Sequence, residues 1–242
     1  MAGIDSFVVF GCHYNDGNGV ASSTDFSTAQ AAKTITFNGG ATCSTGASKF
    51  GASVLALVAS TSSYLELSDH ANWDKDLLGA YTAETFIRPA AVNAFYYIMG
   101  NGDKSAGGTA EGWSLYIDSD ANIYFRLGGG GLTTINAAHG MSATTWYHAA
   151  WDVGVDGVYR VYVDGAVKAT SAANTLATSA ANPFRIGRVA VLFEFNGYFD
   201  GYHDEARVSK GVQRYGGAFT PPTAEFSAGS AYISKMMMMG LS

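Results

Sequence analysis

The most constraining feature of this sequence is a short hairpin signal near its middle. Residues 158–163 read Val-Tyr-Arg-Val-Tyr-Val, an alternating run, and Asp164-Gly165 follows it directly. Successive side chains of a strand point to opposite faces, and Asp-Gly between alternating runs is the strongest short hairpin signal. With the run Trp-Tyr-His-Ala-Ala-Trp at 146–151, this stretch predicts a set of antiparallel strands.

Comparable strand patterns recur along most of the chain. A second hairpin is predicted where residues 112–118 and 123–127 flank the turn-like sequence Ser-Asp-Ala-Asn. Pro89 cannot donate to a sheet ladder, so it is expected to end a strand. Further strands are predicted within residues 6–10, 33–37, 54–58, 64–67, 81–88, 94–100 and 183–208. These runs indicate an all-β chain whose two antiparallel sheets pack face to face.

Composition narrows the class of protein. All-β sandwiches commonly reach this length as one domain, and 48% apolar residues are ample for a core. Thirty glycines against four prolines indicate many tight turns rather than linkers. The formal net charge of −6, with no basic run, argues against nucleic-acid binding, because phosphate neutralisation needs clustered Lys and Arg.

Cys12 and Cys43 are the only cysteines, which is too few for a disulfide framework, and their spacing is not of the zinc type. We expect a free, partly buried pair, with one disulfide as the alternative. The N-terminus lacks a signal-peptide pattern, and no apolar run reaches about 18 residues. The sequence therefore predicts a protein made in a cytoplasm, without membrane insertion.

Three motifs carry a family resemblance: Trp-Tyr-His-Ala at 146–149, Asp164-Gly165, and Asp-Glu-Ala-Arg-Val at 204–208. Together they resemble laminin-G-like domains of the concanavalin-A-like jelly-roll type. The resemblance implies a two-sheet antiparallel β-sandwich over residues 1–226, followed by a C-terminal arm at 227–242. It also implies a structural rather than a catalytic use of His148.

Catalysis is not expected. Asp204, Glu205 and Arg207 are interpreted as structural partners on one strand. Glycoside hydrolases need two facing carboxylates, and the Glu-x-Asp-x-Glu run of the glucanase branch does not occur in the sequence. Asp200 and Asp204 on one strand would lie about 13 Å apart, beyond the roughly 5–9.5 Å used in glycoside hydrolysis.

Two kinds of ligand site are considered. Calcium prefers loop oxygens, and the candidate ligands are Asn15, Asp16, Asn18 and Asp204, with a purely structural turn as the alternative. Related phage domains carry an aspartate where Asn15 stands, so this sequence offers a weaker ligand there. Carbohydrate binding, another use of the fold family, needs exposed aromatic rings. The candidates are Trp73, Tyr198 and Tyr202.

The phage-like segments Lys-Phe-Gly-Ala-Ser at 49–53 and Phe-Thr-Pro-Pro at 219–222 suggest a virion structural protein. Because no fibre shaft precedes the domain, the favoured function is a capsid decoration protein on the virion surface, in contact with the major capsid protein or other virion subunits. The alternative is a tail or surface adhesin that binds host glycans, with calcium as a candidate aid. The arm is expected either to fill the core or to dock onto a neighbouring subunit. Its candidate contact residues are Tyr232, Met236, Met237, Met238 and Met239.

Overall fold

A computed structural model describes residues 4–27, 29, 31–76, 79–104, 110–128, 133–178, 181–188, 190–191 and 197–227. Within these ranges the chain is almost entirely strand and loop, with one 3-10 turn at Ala59–Thr61. In chain order the strands are β1 (Val8–Cys12), β2 (Thr36–Asn38), β3 (Thr42–Ser44), β4 (Val54–Leu57), β5 (Tyr64–Leu67), β6 (Tyr81–Pro89), β7 (Tyr96–Gly100), β8 (Asp103–Lys104), β9 (Ala110–Glu111), β10 (Trp113–Ile117), β11 (Asn122–Leu127), β12 (Thr133–Ala138), β13 (Tyr147–Val153), β14 (Tyr159–Val163), β15 (Ala166–Thr170), β16 (Phe184–Ile186), β17 (Ala190–Val191) and β18 (Gly201–Lys210).

Two large antiparallel sheets make up the fold. The eight-stranded sheet has the order β15-β14-β13-β6-β18-β4-β3, with β1 paired to the second half of β18. The seven-stranded sheet has the order β12-β11-β10-β7-β16-β5-β2. The short strands β8, β9 and β17 form a small third sheet. The predicted all-β, two-sheet antiparallel sandwich is therefore confirmed.

The core lies between the two large sheets and is rich in aromatic rings. Trp113 of the seven-stranded sheet meets Trp151 of the eight-stranded sheet, with ring centroids 4.9 Å apart. Trp151 also stacks on Tyr81 at 5.1 Å and contacts Phe125 at 4.3 Å. All four side chains are buried. The alternation of 113, 115 and 117, predicted to bury one face of a strand, places all three in this core.

Both predicted hairpins are present. β14 and β15 pair around Asp164 and Gly165, whose φ angles of 48° and 74° suit the mirror-image turn that Asp-Gly favours. β10 and β11 pair from Trp113↔Leu127 to Ile117↔Ile123. Pro89 is the last residue of β6, as predicted from its missing N–H group. Elsewhere the strand ends shift by a few residues.

One feature of β18 was not predicted. Asp204 pairs with Phe86 and Arg207 pairs with Glu84, so the strand carries one extra residue there. Glu205 accommodates this bulge with a φ of +51°. The bulge interrupts the regular alternation of side chains between the two faces of β18. Gly201 allows a close approach to the neighbouring strand, because a Cβ there would lie 2.3 Å from the Arg88 carbonyl oxygen.

The outward faces of the two large sheets differ. Residues 211–227 return over the eight-stranded sheet, where the ring of Phe226 lies 3.9 Å from Cζ of Arg207. On the seven-stranded sheet, most outward side chains are half-buried, Ser114 and Tyr116 are buried, and no described segment packs across them. The proposed arm contacts Tyr232 and Met236, Met237, Met238 and Met239 lie outside the described residues. Among those that are described, no helix has the length and apolar character to span a bilayer.

Candidate functional site

A row of tyrosines crosses the outward face of the seven-stranded sheet. Tyr116 pairs with Tyr97 on one neighbouring strand and with Tyr124 on the other. The Tyr116 and Tyr124 rings are stacked, 4.9 Å apart with an interplanar angle of 3°, and Tyr97 lies 5.4 Å from Tyr116. Phe95 adds a fourth ring, 5.1 Å from both Tyr97 and Tyr116. The result is a continuous aromatic platform.

The platform follows from the sequence of β10 and β11. Their apolar residues at alternate positions, such as Leu115 and Phe125, point into the core and are fully buried. The tyrosines between them are therefore directed outward. Burial raises the pKa of Tyr116 and, together with the nearby Asp118, that of Tyr124. Both hydroxyls stay protonated at neutral pH and can donate and accept hydrogen bonds.

A second row on the same face carries arginines. Arg126, Ser114, Gly100 and Arg185 lie side by side on four neighbouring strands. Arg185 Nε donates to Glu66 Oε2 at 2.7 Å, but its Nη1 has no acceptor. Arg126 Nε is also buried without an acceptor. Among the described residues, one nitrogen of each guanidinium group in this row therefore has no acceptor.

A third cluster borders the arginine row. Cζ of Arg188 lies 4.8 Å from the ring centroid of Tyr198 and 5.2 Å from that of Tyr64, within cation–π distance. The two rings are 6.2 Å apart. We call the whole outward surface the tyrosine–arginine face. Its members are Tyr64, Glu66, Phe95, Tyr97, Ser114, Tyr116, Tyr124, Arg126, Arg185, Arg188 and Tyr198.

The predicted glycan-binding residues do not come together. Tyr198 lies on the tyrosine–arginine face, but Tyr202 lies on the eight-stranded sheet, 5.5 Å from Cζ of Arg88. Trp73 is 0% exposed, so its assignment as a sugar-stacking residue is wrong. Its ring stacks on Phe184 at 4.8 Å and fills the core. The platform tyrosines were not predicted as binding residues, although Tyr116 and Tyr124 alternate in the sequence with apolar core residues, a pattern that indicates outward-facing side chains.

The predicted calcium ligands already hold the protein together. Asn15 Oδ1 accepts from the Ala52 and Ser53 N–H groups, and Asp204 Oδ2 accepts from the Lys49 and Phe50 N–H groups. Asp16 accepts from the Ser23 hydroxyl, and Asn18 accepts from the Thr45 N–H. Calcium would have to replace these contacts, which favours the structural turn. The described residues contain no group of three or more His, Cys, Asp or Glu side chains placed to hold a metal. A calcium ion at this loop stays a prediction.

The charged residues of β18 are structural. Glu84 Oε1 accepts from Nε and Nη2 of Arg207, and Glu84 Oε2 bonds to Nε2 of His148 and accepts from the Tyr215 hydroxyl. Burial alone would raise the pKa of Glu84, but Arg207 and His148 hold it well below its usual value. Glu205 bonds to Nδ1 of His13. Because Glu84 and Glu205 are fully buried, a polysaccharide cannot reach them.

Two further predictions concern buried side chains. His148 is fully buried and bonded to Glu84 at 3.0 Å, as expected for a core histidine. Cys12 and Cys43 are both free and fully buried. Burial raises the pKa of both thiols, which makes them poor nucleophiles. His148, Cys12 and Cys43 are not members of the tyrosine–arginine face.

The fold and the open aromatic face define an antiparallel jelly-roll sandwich with one accessible sheet surface. A family model described as the concanavalin A-like lectin/glucanases superfamily, of the laminin G type, matches residues 59–213. The chain belongs to this superfamily, which confirms the resemblance seen in its motifs. A search of curated proteins finds no match to the sequence.

Solved structures share the fold at low sequence identity. The binding domain of Paraclostridial Mosquitocidal Protein 1 matches with a TM-score of 0.64 and 14% identity, covering 88% of this chain and 49% of that one. Domain 4 of AbnA, a GH43 extracellular arabinanase from Geobacillus stearothermophilus, was solved with arabinotriose. It matches with a TM-score of 0.62 and 20% identity, covering 84% of this chain and 92% of that one. The botulinum neurotoxin serotype D ligand binding domain was solved with N-acetylneuraminic acid. It matches with a TM-score of 0.60 and 12% identity, covering 85% of this chain and 48% of that one. The chain thus spans about half the length of the two toxin domains.

Proposed function

We propose that this chain is a non-catalytic carbohydrate-binding module that binds glycans on its tyrosine–arginine face. The observation that carries the proposal is the platform of Tyr97, Tyr116 and Tyr124 beside guanidinium groups whose hydrogen bonds are incomplete within the described part of the chain. Aromatic rings offer an apolar surface to the C–H face of a sugar, and a few placed polar groups orient its hydroxyls.

The shape of the face favours a chain of sugars over a single one. The platform tyrosines occupy three neighbouring strands, so their backbones span about 10 Å across the sheet. Tyr97 and Tyr124 at the two ends of the platform are half-buried, while Tyr116 between them is 9% exposed. An oligosaccharide lying across the strands would contact successive rings while remaining accessible at both ends. This arrangement suits an internal segment of a longer glycan.

The structural neighbours support the same class of ligand. The AbnA domain was solved with arabinotriose and the serotype D neurotoxin domain with N-acetylneuraminic acid. A likeness of 20% identity or less transfers the fold and no ligand, so the choice of sugar rests on the residues of this chain. The burial of Glu84 and Glu205 supports a non-catalytic role.

Of the two functions expected from the sequence, the adhesin-type module fits the open aromatic face better than the decoration protein. Attachment to a capsid through the major capsid protein, location on the virion surface and docking by the arm remain predictions. Calcium assistance also remains a prediction. It is checked by repeating the binding measurements below with a chelator present.

The test is a glycan array followed by calorimetry with the best ligand. Tyr124→Ala removes one ring of the platform and is expected to weaken binding about tenfold, the equivalent of about 1.4 kcal/mol. Tyr202→Ala is the matched control, because Tyr202 is another half-buried tyrosine beside an arginine but lies on the other sheet. It should bind with unchanged affinity. A protein that binds no glycan, or equal losses in both variants, would overturn the proposal.

A further inference from the structure

The arginines of this chain are not partnered evenly. On the eight-stranded sheet, Arg160 pairs with Asp156 and Arg207 with Glu84, and Arg214 of the covering segment pairs with Asp5. Arg88 of the same sheet has no acidic partner among the described residues, but its Nε donates to the Thr144 carbonyl oxygen at 2.8 Å. On the tyrosine–arginine face only Arg185 has an acidic partner, Glu66. Arg126 and Arg188 make no ion pair with any described residue.

Burying guanidinium nitrogens without acceptors destabilises the folded protein. Arg126 Nε and Arg185 Nη1 are shielded from water and bond to no described acceptor. Desolvating a charged donor without giving it an acceptor is unfavourable, so such groups are normally paired. These two nitrogens are as inaccessible to a ligand as to water, but Arg126 and Arg185 are only half-buried overall, so an acidic group arriving from outside would neutralise their charge at the exposed part of each side chain. Guanidinium is well suited to this, since its planar fork matches carboxylate and sulfate oxygens.

The members of the face carry a net positive charge within an acidic chain. They include three arginines against one glutamate, with Asp118 and Asp120 beside Tyr124 at the edge of the face, whereas the whole chain has a formal net charge of −6. Arg188 is held by the rings of Tyr64 and Tyr198, which orders its side chain before any ligand arrives. Pre-ordering of this kind reduces the entropy lost on binding. The positive charge of the arginines is therefore concentrated on this face, and the Arg188 side chain is held in place by the two tyrosine rings.

We propose that the tyrosine–arginine face selects glycans that carry acidic groups, carboxylate or sulfate, through Arg126 and Arg188. The inference rests on the proposed function and specifies its ligand class. Arg126 and Arg185 lie three strands apart in one row, which places them about 14 Å from one another. This spacing fits an oligosaccharide with acidic groups on more than one residue, whose sugars would lie along the neighbouring row of platform tyrosines.

Glu66 provides a second mutational test of the proposal. Its carboxylate occupies Nε of Arg185 at 2.7 Å, so it competes with an incoming anion for that guanidinium. Removing its charge with Glu66→Gln should strengthen the binding of an acidic glycan about threefold to tenfold and leave a neutral glycan unaffected. A merely structural role for the pair would not produce this difference between ligands.

The experiment compares three probes by calorimetry: an oligogalacturonate, the same oligosaccharide after carboxyl reduction, and a sulfated galactan oligosaccharide. We expect the acidic probes to bind more tightly than the reduced one, and the difference to shrink between 50 mM and 500 mM salt because salt screens charge. Arg126→Gln should weaken the acidic probes about fivefold to tenfold and spare the reduced one. Arg160→Gln, an arginine variant on the other sheet, is the control and should bind normally.

The outcomes separate the two proposals. Equal affinities for the oligogalacturonate and its reduced form would overturn acid selection while leaving glycan binding in place. Failure of all three probes, and of every sugar on the array, would overturn glycan binding itself and acid selection with it. Binding of polyglutamate as tightly as oligogalacturonate, with the same dependence on Arg126, would overturn the inference in favour of an acidic protein partner. Preference for only one acidic probe identifies the acid, carboxylate or sulfate.

Discussion

The two sheets of this sandwich use charged residues on their outward faces in opposite ways. On the eight-stranded sheet, Glu84 is surrounded by Arg207, His148 and Tyr215, and residues 211–227 cover the cluster. On the seven-stranded sheet, Arg126 and Arg188 have no acidic partner among the described residues, and no described segment covers them. One face is completed by the chain itself, and the other leaves its polar groups open to a ligand.

The comparison shows how to separate structural charges from functional ones. Glu84, Arg207 and His148 are fully buried, and a buried pair is tolerated only when its hydrogen bonds are made. Such a cluster specifies the fold. A half-exposed cation beside stacked aromatic rings, with donors left over, is better placed to recognise something outside the protein.

The largest expected effect comes from unbalancing the covered face. Glu84→Gln removes the charge that neutralises Arg207 and weakens the bonds from His148 and Tyr215. Breaking a buried pair from one side costs about 3–5 kcal/mol of unfolding free energy. Urea denaturation at pH 7 measures this cost. Glu66→Gln, which breaks the half-exposed pair with Arg185, is the control and should cost less than about 1 kcal/mol. Similar costs for the two variants would contradict the contrast between the faces.

A second expected effect sharpens the comparison, because one carboxylate of the eight-stranded sheet is not balanced by a cation. Asp204 is fully buried, its Oδ1 has no acceptor or donor partner, and burial raises its pKa to about 7. A raised folded-state pKa means that the native protein holds this proton more tightly than the unfolded chain does. The contribution of Asp204 to stability is therefore complete below the unfolded pKa of 3.8 and is lost as the pH rises to about 7.

Asp204→Asn should abolish that loss. The amide oxygen can keep the bonds from the Lys49 and Phe50 N–H groups, and the variant carries no charge to desolvate. Relative to the native protein, the variant should gain roughly 4 kcal/mol of unfolding free energy between pH 3 and pH 8. Paired urea titrations across this interval give the difference curve, in which other titrating groups cancel. A flat curve would show that Asp204 ionises normally.

A smaller effect is expected from one hydroxyl of the covered face. Tyr215→Phe deletes the donor to Glu84 Oε2 but keeps the ring that stacks on Phe219 at 3.5 Å. A hydrogen bond to a charged group contributes about 1.5–3 kcal/mol. Thermal unfolding should show a loss in this range. Tyr124→Phe on the open face should change stability by less than about 0.5 kcal/mol, and an equal loss there would show that the open-face hydroxyls are structural as well.

The fold was readable from the sequence because its signals are local. Alternation, Asp164-Gly165 and Pro89 act over a few residues, and the hairpins they predict are present. The bulge at Glu205 was not readable, since its positive φ depends on pairing with a strand more than a hundred residues away. Local patterns determine which strands form, whereas long-range pairing determines where they are irregular.

The site was harder to predict than the fold for a related reason. Residue type indicated aromatic rings and carboxylates, but not which of them reach solvent. Trp73 and Tyr198 are both plausible sugar contacts in sequence, and only the three-dimensional packing, with Trp73 fully buried against Phe10 and Phe184, shows that Trp73 is core. The tyrosine–arginine face joins residues from positions 64 to 198, so no short motif contains it. Its one local trace is tyrosine placed between buried positions at 116 and 124.

The smallest expected effect tests the open face most directly. Arg126→Gln removes a cation that no described residue neutralises and a buried Nε–H without an acceptor. If that charge serves a ligand, the unliganded protein should lose nothing, and unfolding free energy should stay within about 0.5 kcal/mol of the native value or rise slightly. Thermal unfolding without glycan measures this. A loss above about 1 kcal/mol would mean that Arg126 stabilises the sheet, and the two outward faces would then no longer differ in kind.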